Sequence, residues 1–275
     1  MVSTFIIALR EGLEAALIIG ILMAYLVKTN RSHLRRPLWI GVTLAIGVSL
    51  ALGAILSFTS RELRPGAEEA FAGSLSVAAV ALVTWMVFWM KRTARSMKHE
   101  LEKKVDHAVT VGSVAIAITA FVAVAREGLE TSLFIYTNFS AVKSSFGPSV
   151  GLVLGLSTAI ALGYLMYKRT VHFDLAQFFK ITGIALIVVA AGVLSHGIGD
   201  LQQTGWLPGA GLIAWNFDSW LHPDSFIASL LSGTVGFSTT SSWLQVGVWT
   251  IYLVTILASY LSPAVSKKEG NRLAV

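Results

Sequence analysis

Cysteine is absent from the 275 residues. Disulfides, thiolate metal sites and cysteine nucleophiles are excluded together, and no haem-attachment motif is possible, so the chain carries no redox centre of its own. Charge is scarce: 13% of residues are Asp, Glu, Lys or Arg, where a soluble domain carries about a quarter. A basic stretch ahead of the first apolar run is also missing, and Arg10, Glu11 and Glu14 interrupt that run. A cleavable signal peptide is therefore not expected, and the first run is kept as part of the fold.

What is present is apolar surface. Hydrophobic residues make up 55% of the chain, and the mean hydropathy is +0.70. Pro37–Ser60, Ala70–Met90, Ala108–Ala125, Ser144–Tyr167 and Ser225–Ser266 contain no Asp, Glu, Lys, Arg or His. Crossing a bilayer takes about 20 such residues in a helix. The pattern predicts an all-α integral membrane protein of seven spans, over about 4–27, 38–59, 70–90, 110–137, 148–167, 178–199 and 243–262.

The pI near 9.7 does not point to nucleic acid, because of where the charge lies. Lys28, Arg31, Arg35 and Arg36 follow span one; Lys91, Arg92, Arg95, Lys98, Lys103 and Lys104 follow span three. Lys168, Arg169 and Lys180 separate spans five and six, and Lys267, Lys268 and Arg272 follow span seven. These are 16 of the 21 basic residues, and a seven-span topology places them all on one side. The excess of Lys and Arg in cytoplasmic loops then predicts the N-terminus outside and the C-terminus inside, with attraction to anionic lipid as a by-product.

Two stretches break the apolar pattern. "ALREGLEAAL" (8–17) and "VAREGLETSL" (124–133) each place an Arg-Glu-Gly-Leu-Glu pentad inside a span, and the two align at an offset of 116, from Phe5 with Phe121 to Leu17 with Leu133. They lie in spans one and four, with two spans between them, so the helices carrying them run in opposite directions. That predicts an inverted 3+3 repeat with one extra helix, the build of many secondary transporters, whose sites lie where the halves meet. The expected organisation is a single transport domain: 1–107 as the first three-helix repeat, 108–199 as the second, 200–242 as an outer loop, and 243–275 as the seventh helix and cytoplasmic tail.

The pentads carry the chemistry. Glu11 and Glu14 share a helix face at i,i+3, and Arg10 reaches Glu14 at i,i+4. Ala8, Gly12, Ala16 and Gly20 form an adjoining small-residue stripe, matched by Gly128 and Ser132 in span four, along which the two pentad helices are expected to cross. Glu11, Glu14, Glu127 and Glu130 would then converge with Arg10 and Arg126, leaving a formal charge of −2. Such a pocket suits a divalent cation, or a trivalent one if a further group ionises. Charge at bilayer depth costs roughly 2.5–3.5 kcal/mol per group even on lenient scales, so six ionisable groups there imply a function. The structural alternative is a lock in which Arg10 pairs with Glu130 or Arg126 with Glu14. An excess of carboxylate over arginine argues against it. Carboxylate oxygens select hard cations such as magnesium, calcium, manganese and iron.

Other acidic and His groups are weaker candidates. His196 and Asp200 stand at i,i+4 near the end of span six. Asp218, His222 and Asp224 lie in the outer loop and read as solvated, as do Glu100, Glu102 and Asp106 in the inner charge run. Met86 and Met90 share a face of span three and read as packing. Gly147, Gly151 and Gly155 form a packing stripe on span five. Pro223–Leu231 reads as a short helix, interfacial or re-entrant, with Trp206, Trp215 and Trp220 at headgroup level.

The doubled pentad resembles the R-E-x-x-E signature of the iron permease family, which includes fungal high-affinity iron permeases and bacterial ferrous-iron uptake permeases. "LVTWMVFWMKR" (82–92), "SHGIGDLQQTGWLPG" (195–209) and "LLSGTVGFSTTSSWLQVGVWTIYL" (230–253) are similar to further family segments. The resemblance implies iron import across the cytoplasmic membrane, with iron as transported substrate and no resident cofactor. It implies Glu11, Glu14, Glu127 and Glu130 as metal ligands, with Arg10, Arg126, His196, Asp200 and Glu69 in support. It also implies an extracytoplasmic iron oxidase, peroxidase or iron-binding partner. The family often has a second acidic residue where this chain has Ala72. The remaining alternatives are a permease for manganese or lead, and an intramembrane glutamate-dependent hydrolase.

Overall fold

A computed structural model describes residues 1–64, 66–93, 103, 106, 112–140, 146–168, 174–222 and 225–262. Seven helices of 19 residues or more make up most of it: α1 (Val2–Lys28), α2 (Arg35–Glu62), α3 (Ala67–Thr93), α4 (Ser113–Ser140), α5 (Phe146–Tyr167), α6 (Leu175–Gln203) and α8 (Trp243–Leu261). Between α6 and α8 lie a short strand β1 (Ile213–Asn216), a ten-residue helix α7 (Phe226–Val235) and a second strand β2 (Thr240–Ser242).

Several helix ends have a local cause. Asp174 caps α6 by accepting from the amides of Ala176 and Gln177, and Ser242 with Gln245 forms a capping box at the start of α8. Ser225 caps α7, which ends on Gly236 at φ +74°, a left-handed conformation that glycine alone adopts without strain. Helix α2 ends where Leu63 turns extended.

α2, α3, α5, α6 and α8 are long and apolar enough to cross a membrane by length and composition. α1 and α4 have the length, but each carries three charged residues of its pentad in the middle. Large apolar side chains face outward all along α2 (Trp39, Ile40, Leu44, Leu50, Phe58) and recur on α5 (Val153, Ile160) and α8 (Ile251, Val254). In water such a surface would be an aggregation liability; in lipid it is the solvated face. The chain is a multi-pass membrane protein.

Small residues decide which helices touch. α1 packs on α5, α2 on α4, and α3 on α6, while α1 also meets α4. A Cβ on Gly155 would lie 2.7 Å from the Phe5 carbonyl oxygen and 2.8 Å from Ala8 Cβ, so α5 lies backbone-to-backbone on α1. α2 approaches α4 in the same way, with Gly41 against Ala117 and Phe121, and Ser49 against Gly128. Ser132 Oγ adds a hydrogen bond to the Ser49 carbonyl at 2.7 Å.

The small stripes therefore work, but with different partners from those expected. Gly12 faces Ala159 and Leu156 of α5, and Gly128 faces α2. Neither stripe mediates the α1–α4 contact: the glycine faces of the pentad helices lie against α5 and α2, and the carboxylate faces are left for each other. The Gly147–Gly155 stripe is a packing surface as expected, with α1 as its partner.

The segment after α6 is a folded cap. β1 pairs antiparallel with β2, and Trp215, Phe217 and Phe237 stack beside the ladder. α7 is found three to four residues beyond the expected 223–231. Its end dips against the bundle: a Cβ on Gly192 of α6 would lie 2.6 Å from Gly236 Cα.

Candidate metal-ion site

α1 and α4 cross antiparallel. Ser3 Oγ and Thr4 Oγ1, at the start of α1, donate to Asn138 Oδ1 near the end of α4 at 2.9 and 3.1 Å. All three side chains are buried. Following the two helices from that anchor brings residues 11 and 14 level with 130 and 127.

There the carboxylates converge. Ligand oxygens of Glu11, Glu14 and Glu127 all lie within 4.8 Å of one another. The exposures of Glu11, Glu14, Glu127 and Glu130 are 1, 2, 5 and 9%. One oxygen from each of the four finds no hydrogen-bond donor in the protein. Buried polar atoms are normally satisfied, and an ionised oxygen left unpaired is among the most expensive. Three such carboxylates gathered within 4.8 Å fit a hard cation, which supplies charge and coordination together.

Apolar layers seal the site on both sides. Toward the end of the bundle holding Lys28 and Lys91 lie Ile18, Leu22, Val42, Ile116, Ala120 and Val124. Toward the Asn138 end lie Ile7, Val80, Val83, Phe134 and Leu186. A cavity of about 20 Å³, lined by these and by Thr137, adjoins the site one helical turn beyond Glu11 and Glu130. It has room for about one water.

The arginines pair within their own pentads. Arg10 Nη1 donates to Glu11 Oε1 at 3.0 Å, and Arg10 Nη2 lies 3.3 Å from Glu14 Oε1, close enough for an ion pair but outside hydrogen-bond geometry. Arg126 Nε donates to Glu130 Oε1 at 3.0 Å. The cross-pairs of a structural lock, Arg10 with Glu130 and Arg126 with Glu14, are not formed. Among the described residues Glu127 has no ion pair.

The two arginines are pseudo-equivalent in sequence and unequal in place. The Arg10 side chain is 1% exposed and also points at Met86 Sδ. The Arg126 side chain is 40% exposed, with its guanidinium 4.4 Å from the centroid of the Trp89 ring on α3.

The supporting residues lie elsewhere. Glu69, His196 and Asp200 are all partly buried at the far ends of α3 and α6, where Gly73 packs on Gly197. Glu69 is close enough to Asp200 for their charges to interact. Among the described residues these three do not join the glutamates in a common ligand group. Met86 is buried packing that also accepts from Arg10. Asp218 is exposed and accepts from Thr240, and Asp106 accepts from Tyr25. Glu100, Glu102 and Asp224 lie outside the described residues. The sequence reading missed Trp89, Ser3, Thr4 and Asn138. The available signals were a tryptophan one turn from the basic end of a charge-free span, and a lone asparagine eight residues past a buried glutamate.

A profile of the Iron permease FTR1 family matches residues 1–274. The chain is similar to the Ferrous iron permease EfeU of Escherichia coli O6:H1 (strain CFT073), 37% identical over 275 residues covering 99% of each chain. It is 36% identical to the protein of that name from Shigella sonnei (strain Ss046), over the whole of both chains. It is 35% identical to that from Yersinia pestis over 266 residues, 96% of this chain and 94% of the relative. No solved structure matches.

Proposed function

The chain belongs to the iron permease family, a family of transporters rather than enzymes, and we propose that it imports ferrous iron across the cell membrane through a site built from Glu11, Glu14, Glu127 and Glu130. The relatives are named for ferrous iron, and the same ion is proposed here. The observation that carries the reading is the convergence, within 4.8 Å, of three buried carboxylates from two antiparallel helices.

The chemistry follows from the ligands. Iron sheds water as carboxylate oxygens replace its hydration shell, and two of the four negative charges are already balanced by Arg10 and Arg126. A divalent ion brings the remaining −2 to zero, so the loaded site is electrically neutral in the low-dielectric interior. Neutrality at the loaded stage lets the ion pass bilayer depth without an uncompensated charge.

The proposed architecture is two inverted halves, 1–107 and 108–199, followed by the 200–242 cap and the seventh helix with its tail. The pairings support it: exchanging α1 with α4, α2 with α5 and α3 with α6 turns the α1–α5 contact into the α4–α2 contact and maps the α1–α4 and α3–α6 contacts onto themselves. The N-terminus is proposed outside and the tail inside, following the basic residues. Iron arrives past Glu69, Asp200 and His196, delivered by an extracytoplasmic oxidase, peroxidase or iron-binding protein.

The test is uptake of radiolabelled iron by cells carrying Glu11→Ala and Glu130→Ala variants whose membrane level matches wild type. Uptake is expected to fall to background in both. Normal accumulation in either variant would sink the carboxylate site. Reporter fusions after Arg64 and after Ser262 test the sidedness, and should report opposite compartments.

A further inference from the structure

Nothing in the symmetry of the pentads explains why Arg126 differs from Arg10. Arg10 is held by two carboxylates of its own pentad and is sealed from solvent. Arg126 has one carboxylate partner, bonded through Nε, and 40% of its side chain is exposed. The planar end of the guanidinium lies over the Trp89 ring, 4.4 Å from its centroid. Trp89 in turn packs with the Leu13, Leu17 and Met90 layer, so its ring has a fixed seat.

We propose that Trp89 is a positioning residue that parks the Arg126 charge beside the glutamate cluster, so that Glu127 stays free for the transported cation. Arginine is attracted to an indole face both by the ring quadrupole and by stacking. With the guanidinium on the ring, only Glu130 is engaged, and no ion pair joins Arg126 to Glu11, Glu14 or Glu127 among the described residues. Without the ring face, the guanidinium is free to turn toward the oxygens of Glu127 and Glu130 that have no donor. A guanidinium bridging those two oxygens would occupy the ligands with a tethered cation and compete with iron. Trp89 thus acts on affinity through Arg126 and touches no iron itself. This rests on the carboxylate-site reading above.

A double-mutant cycle on the purified full-length protein tests it, with anaerobic Fe(II) binding by equilibrium dialysis as the readout. Trp89→Leu, which keeps apolar volume but not the π face, should weaken Fe(II) binding by about 2- to 30-fold, the range of one stacked cation. Trp89→Phe, which keeps a face, should recover most of the affinity. In an Arg126→Gln background, Trp89→Leu should have no further effect. In cells the Leu variant should raise KM for uptake and leave the saturated rate unchanged. If the Leu variant does not elute as a folded species, Trp89→Met takes its place in the cycle. Equal losses with and without Arg126, or Phe behaving as Leu does, would overturn the role of Trp89. Those results are distinct from failure of the site itself, which would appear as undiminished Fe(II) binding by Glu11→Gln.

Discussion

Glu127→Gln should separate binding from folding. Among the described residues Glu127 is the pentad carboxylate with no arginine on it, so removing its charge breaks no ion pair. It is 5% exposed, and its Oε2 lacks a donor. Its neighbours within 4.8 Å are the oxygens of Glu11 and Glu14, so in the ion-free protein the lost charge relieves repulsion. The folded protein should therefore be as stable as wild type or more so. The bound state behaves oppositely. Two unit charges about 4 Å apart interact by about 4 kcal/mol at an effective dielectric near 20, and a divalent ion doubles this. The amide oxygen still coordinates, and fewer charges need dehydrating, so a net loss of about 2–4 kcal/mol is expected, roughly 30- to 1,000-fold in affinity. Thermal unfolding in detergent reads the first quantity and Fe(II) dialysis the second. A variant that binds Fe(II) like wild type would refute the argument, as would one whose unfolding midpoint drops by several degrees.

Asn138→Leu leaves the buried hydroxyls of Ser3 and Thr4 without their acceptor; a loss of about 1–2 kcal/mol is expected from model intramembrane hydrogen bonds, and it should shrink when combined with Ser3→Ala and Thr4→Ala. Gly155→Ala drives a methyl into Phe5 and Ala8 and should cost about 1–3 kcal/mol by overpacking, read by chemical denaturation in mixed micelles. Protons compete with iron for the same oxygens, so binding releases protons and affinity rises with pH; Fe(II) dialysis at two pH values should show weaker binding at the lower one, and the opposite trend would count against carboxylate ligation.

Much of the architecture is readable from apolar runs alone, because a lipid-facing helix has no other solution for its backbone polar groups. Each expected span overlaps one of α1–α6 and α8, five of which are apolar enough to cross a membrane. The expected fourth span starts before Ser113 and the expected seventh ends after Leu261, and caps such as Asp174 and Ser242 fix other ends. The convergence of Glu11, Glu14 and Glu127 follows from two like motifs on opposed helices. What the linear pattern could not give is the choice of helix neighbours. A stripe of small residues says that a close approach occurs, not with whom, and Gly12 and Gly128 both chose helices outside the pentad pair. The inequality of Arg10 and Arg126 was equally hidden. Identical pentads meet different side chains of a third helix, Met86 at Arg10 and Trp89 at Arg126. Asn138 stands out as a lone asparagine in α4, but its partners, 134 and 135 residues away, could not be read from the sequence.

Among the described residues, four contacts hold the cap and α8 in place, besides the bond from Gln202 to the Pro208 carbonyl. Gly236 rests on Gly192, Ser242 donates to Gln202, Gln245 donates to the Ser195 carbonyl, and Trp249 donates to the Val235 carbonyl. Three of these grip α6 and the fourth ties α7 to α8. A slide or tilt of α6 must therefore drag the whole ladder and α7 along as cargo. A fluorophore placed at the exposed position of Trp220 would then report, from outside the helix bundle, a displacement that begins within it.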